Sequence, residues 1–179
     1  PPAMAIVTVE GKGDSIGTTT ERAHSGRHSL KLQDAPGLSQ VFDPYFFYRP
    51  YHTQGLSVLR FSLLVEPGSN FWHEWRDAAS PYRVCPNLTV QGGRLRAAGQ
   101  ELAAVPEGAW MQLEVSAALG AARTGTWTLA LTLPGASPRI FTLPCRDADW
   151  QTLSWLGFVS NDTRASAVFL DDLELVNRR

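Results

Sequence analysis

The chain is predicted to be all-β, a two-sheet antiparallel β-sandwich or jelly roll. Three observations lead there. Apolar and polar residues alternate over short runs, as in Leu59, Phe61, Leu63 and Val65 against Arg60 and Ser62. That period of two is the mark of a strand with one buried face. Gly and Pro punctuate the runs at the short spacing of a multi-stranded sandwich. Helix signals are nearly absent, since only residues 100–104 and 116–122 have helix-forming composition, and both are short.

The elements follow in order. Residues 5–10 form a first strand, and residues 11–17 a glycine-punctuated loop. Residues 28–33 alternate, with Leu30 and Leu32 inward, and residues 38–42 make a short strand. Residues 56–65 are a long strand, and residues 70–77 carry an unusual aromatic and charged strand. Residues 88–91 and 94–97 form a hairpin around Gly92-Gly93. Residues 110–116, 126–133, 139–143, 153–160 and 167–176 complete a set of about ten to twelve strands.

Size and charge limit the function. A chain of 179 residues with 44% hydrophobic content suits one domain with a sizeable core. A net charge of −1 gives no footprint for nucleic acid or an anionic membrane. No apolar run approaches the roughly 20 residues of a membrane span. Pro1-Pro2-Ala3-Met4 has neither the basic nor the apolar region of a signal peptide, so the chain is expected to be a mature or excised piece. Cys85 and Cys145 fit no metal or CxxC spacing. Two readings stand for them: a disulfide between strands if the protein is secreted, or two separate thiols.

Residues 71–83 concentrate the chemistry. Strand alternation sets His73, Trp75 and Asp77 on one side, and Trp72, Glu74 and Arg76 on the other. One trio faces core and the other solvent, and the pattern does not decide which. An exposed Trp offers a flat apolar face to a sugar ring, while Arg, Asp and His bond hydroxyls. Arg76 and Arg83 also suit a uronate or sulfate through forked hydrogen bonds. The competing reading is a structural network in which Glu74 pairs with Arg76, or Asp77 with Arg83. Residues 45–52 (YFFYRPYH) form a second aromatic cluster, read as a stiff loop because Pro44 precedes it and Pro50 lies within it. It either binds a ligand or plugs one end of the sandwich. The four histidines have no metal-ligand spacing, there is no GxSxG elbow, and no strand sets paired carboxylates on one face.

Three segments carry a family resemblance. Residues 26–32 (GRHSLKL) resemble the second strand of jelly-roll carbohydrate-binding modules, and residues 169–175 (FLDDLEL) their closing strand. Residues 106–115 (PEGAWMQLEV) are similar to a strand of laminin-G-like and concanavalin A-like sandwiches. The resemblance implies a secreted, glycan-associated module, often fused to a catalytic domain; with no paired carboxylates on one face, the expected function is a noncatalytic carbohydrate-binding module for a polysaccharide. The resemblance also implies a structural calcium held by a first-strand Glu and a last-strand Asp, here Glu10 and Asp172, because alternation lets only one of Asp171 and Asp172 point with Glu10. The expected ligand contacts are Tyr48, Tyr51, Trp72, Trp75, Arg76 and Tyr82, with Asp77 and Arg83 as polar partners. The alternatives are a small polysaccharide lyase or glycoside hydrolase using His73, Glu74 or Tyr82, and an accessory domain packed on a catalytic neighbour.

Overall fold

The computed structural model describes residues 5–178. Its strands are β1 (Ile6–Thr8), β2 (Ser15–Thr19), β3 (Ser29–Asp34), β4 (Tyr45–Tyr48), β5 (Gly55–Val65), β6 (Phe71–Arg76) and β7 (Val84–Gln91). They continue as β8 (Arg94–Ala97), β9 (Gln100–Ala104), β10 (Met111–Leu119), β11 (Thr126–Thr132), β12 (Arg139–Pro144), β13 (Trp155–Ser160) and β14 (Ser166–Arg178). Two seven-stranded antiparallel sheets result, in the orders β1-β4-β13-β6-β7-β8-β9 and β12-β11-β10-β5-β14-β3-β2. The all-β sandwich expectation therefore holds. No helix among the described residues is long and apolar enough to cross a membrane.

The alternating strands explain the core. In β5, Leu59, Phe61, Leu63 and Val65 turn inward and are buried. In β10 and β11, Leu113, Val115, Leu129 and Leu131 do the same, and the register sets Leu113 beside both Phe61 and Leu131. From the first sheet, Phe46, Phe71, Trp75, Leu88 and Phe158 meet them. Phe158 stacks on Phe46 at 4.8 Å and meets Phe61 edge-on at 5.4 Å, so the rings interlock across the sandwich.

Cys85 of β7 is bonded to Cys145, just beyond β12, 60 positions along the chain. This joins the two sheets covalently and decides between the two cysteine readings.

Several local expectations are corrected. Residues 45–48 are not a loop but strand β4, paired with β13 and β1. The bracketing prolines sit outside the strand and leave its ladder intact. Residues 38–42 form no strand. The helix-leaning residues 100–104 are edge strand β9, and of residues 116–122 only Gly120–Ala122 are helical, as a single 3₁₀ turn. Their local propensity is too weak to resist sheet pairing.

Candidate functional site

Strand β6 settles which trio faces out. His73 and Trp75 lie inside with no exposed surface. Trp72, Glu74 and Arg76 lie on the outer face of the first sheet. His73 is a neutral spacer: its Nδ1 donates to the Gly157 carbonyl at 2.8 Å, and its Nε2 accepts from Trp75 Nε1 at 2.9 Å. Burial pulls its pKa down to about 3. Trp75 is therefore a core residue with no surface to offer a ligand, and His73 is equally out of reach.

The outer face is built across four strands. Register aligns Phe47, Gly157, Glu74 and Asn87 in one row, and Tyr45, Val159, Trp72 and Thr89 in the next. The Trp155 ring lies across Gly157, and a Cβ there would come 1.9 Å from the ring. Trp155 also stacks on Phe47 at 5.4 Å. The Arg76 guanidinium carbon sits 3.9 Å from the Trp155 ring centre and 4.2 Å from that of Tyr82. These rings, with Tyr45, Phe42 and Arg49, line a groove of about 390 Å³.

Glu74 sits beneath this groove, 1% exposed. Its Oε1 accepts from Arg76 Nε, while its Oε2 is buried without a hydrogen-bond partner. Burial pushes its carboxyl pKa up, and Arg76 and then Arg146 pull the other way. Asn87, the register neighbour of Glu74, opens onto a further hollow with Arg146.

Asp77 and Arg83 frame the loop after β6. Asp77 Oδ1 accepts from the Ala79 and Arg83 amides at 3.0 and 2.8 Å, and Arg83 Nη1 donates to the Asp149 carbonyl at 2.7 Å. They hold the turn that presents half-exposed Tyr82. Tyr48 turns to the core side, where burial raises its pKa. Tyr51 is exposed but lines a separate hollow with His52 and Asn177. Of the expected contacts, then, Trp72, Arg76 and Tyr82 converge on the groove. Sequence reasoning missed Trp155, and in the 45–52 cluster it chose Tyr48 and Tyr51 where Tyr45 and Phe47 line the groove. The signal for Trp155 was its i, i+2 spacing from Gly157, a missing side chain that leaves room for an indole.

The Glu10 and Asp172 carboxylates do not converge. Glu10 accepts from the Ser39 and Gln40 amides and from Lys12 Nζ. Asp172 accepts from the Ser25 and Ser62 hydroxyls and pairs with His24 Nδ1. The two networks share no residue, and no group of three or more His, Cys, Asp or Glu among the described residues suits a metal ion. The alternation argument also fails locally. A bulge between Asp171 and Glu174, with Asp172 at φ 51°, turns both aspartates to the His24–Ser25 segment.

On the opposite sheet a hollow of about 380 Å³ is lined by one cation, Arg60, and three carboxylates, Glu114, Asp172 and Glu174. Arg60 donates to Glu114 at 2.6 Å and to Glu174 at 2.9 Å.

No protein-family model matches the chain, and no curated protein matches it in sequence. Solved structures do match in fold. An endo-β-1,4-glucuronan lyase from the fungus Trichoderma reesei superposes with TM-score 0.68 at 11% identity, covering 99% of this chain and 96% of the lyase. The cellulose-induced protein Cip1 matches with TM-score 0.68 at 15% identity, covering 98% and 92%. The CBM22-1 xylan-binding domain from Paenibacillus barcinonensis Xyn10C matches with TM-score 0.50 at 11% identity, covering 98% and 87%. The fold is thus the jelly-roll β-sandwich found in both carbohydrate-binding modules and polysaccharide lyases.

Proposed function

We propose that the chain is a noncatalytic carbohydrate-binding module that takes a polysaccharide along the outer face of its first sheet. The observation that carries this is the ring platform of Trp155, laid flat over Gly157 and backed by Phe47 and Arg76. An indole fixed in that way presents an apolar plane to a pyranose without loss of rotamer freedom on binding. Trp72 and Tyr82 extend the plane, and Asn87 supplies a polar end. The Cys85–Cys145 bond supports an extracellular setting. In a longer chain such a module would keep a catalytic neighbour on its substrate.

Affinity electrophoresis against a panel of soluble neutral and acidic polysaccharides tests the proposal. Retardation by at least one glycan is expected, and Trp155→Ala should abolish it. Absence of retardation by every glycan, with the protein folded, overturns the reading.

A second reading rests on Glu74. A buried carboxyl with one free oxygen and a raised pKa is suited to carrying a proton. Under that reading the protein would release reducing ends or unsaturated products from a glycan, and Glu74→Gln would stop it. The binding-module reading expects no product from either protein.

A further inference from the structure

We propose that the groove on the first sheet is a site for an acidic sugar, whose anionic group docks on the free edge of Arg76 with Arg49 beside it. The inference rests on the glycan-binding reading and names the chemical class of the ligand.

The charge balance of the groove favours an anion. Arg49 and Arg76 line it, and no Asp or Glu does. Just outside, Glu74 lies beneath and Arg146 beside Asn87, so three guanidiniums face one carboxylate. Several cations elsewhere on the surface are matched. Arg60 meets Glu114 and Glu174, Arg164 meets Asp162, and Arg94 and Arg96 meet Glu101. Arg49 forms no ion pair among the described residues.

The geometry of Arg76 favours one as well. Arg76 spends only its Nε on Glu74, and its two terminal nitrogens make no hydrogen bond to the described residues. Contact with the Trp155 and Tyr82 rings fixes the guanidinium plane. A fixed fork with two free N–H groups fits paired oxygens, as a uronate carboxylate or a sulfate ester provides, and such bidentate contacts are stronger and more directional than contacts to hydroxyls. A sugar bearing that group would lie against Trp155 as its charge met Arg76. The overall charge of −1 means that bulk attraction would not mimic the effect.

The test is titration of the intact protein with polyglucuronate, with its carboxyl-reduced neutral counterpart, and with dextran sulfate, at low and high salt. Preference for polyglucuronate assigns a uronate, and preference for dextran sulfate assigns a sulfate ester. Either should weaken by about tenfold in Arg49→Gln, the loss of one charge-assisted contact. Arg76→Lys keeps a charge for Glu74 but removes the fork, and should weaken binding as much while the neutral polymer is unaffected. Binding of the neutral polymer as tight as that of both anions overturns the acidic-sugar site and leaves the glycan-binding reading standing. Failure of every polymer to bind overturns both. Acidic binding unchanged in both variants also overturns the site.

Discussion

His73 and Gly157 show how single residues set the site. His73 is held neutral because both ring nitrogens are committed inside the core. Its folded pKa, about 3, lies below its ordinary value of 6.5. Between these values the unfolded chain binds a proton that the folded chain does not. The contribution of His73 is therefore present above pH 6.5 and is lost as pH falls, by up to ~1.4 kcal/mol per pH unit. His52, also depressed by burial, adds the same sign. In His73→Gln the stability gap to the parent protein should narrow between pH 6.5 and 4.5. Denaturant melts at the two pH values check this, and a constant gap would refute the assignment. Gly157 makes a sharper case, because any Cβ there displaces Trp155. Gly157→Ala should lose glycan retention as completely as Trp155→Ala. It should cost far less stability than Phe158→Ala, for which about 3–5 kcal/mol is expected. A Gly157→Ala protein that binds normally would remove Trp155 from the platform.

Strands β4, β6 and β13 together make the face, and they were unequally legible. In β6 the alternation identified both trios, but orientation depends on what covers each side, which is tertiary information. It was decided by Phe71 and His73 packing with Phe61 and Phe158, and by Trp75 packing with Trp150. β4 was hidden because prolines at 44 and 50 mimic a loop, although they sit beyond the hydrogen-bonded residues. β13 was found as a strand, yet its outward Trp155 was invisible as a contact until Gly157 was seen beneath it. The Asp171–Asp172 bulge defeated a period-two argument because an extra residue reverses the facing. The turn after β6 has its own test. Asp77→Ala leaves the Ala79 and Arg83 amides without their acceptor and should cost about 1–3 kcal/mol. Glycan affinity should drop severalfold as Tyr82 loosens. Thermal melts with parallel titrations measure both, and unchanged affinity would show that Tyr82 needs no such frame.

At the scale of the whole molecule, the two-sheet sandwich was plain from alternation and turn spacing, since the long alternating strands agreed with one another even where residues 38–42 and 45–48 were misread. The disulfide could only be offered as one of two readings, because pairing depends on which strands end near each other. It closes a loop of 60 residues between the sheets. Reduction, or replacement of both cysteines by Ala, should cost roughly 4 kcal/mol in the chain-entropy model. Chemical denaturation with and without reductant provides the measurement. A loss near zero would mean that the reduced chain already holds the sheets together.

The placement of the six indoles has an optical consequence. Trp75, Trp127 and Trp150 are sealed in the interior, and Trp110 packs against His24, away from the groove residues. Only Trp72 and Trp155 line the groove. Intrinsic emission therefore divides into a shielded interior trio, a half-buried Trp110 outside the groove, and a ligand-facing pair. An aqueous quencher such as iodide should reach the pair and Trp110 before the interior, and a bound glycan should protect the pair alone. The protein carries its own reporter of occupancy, with no label required.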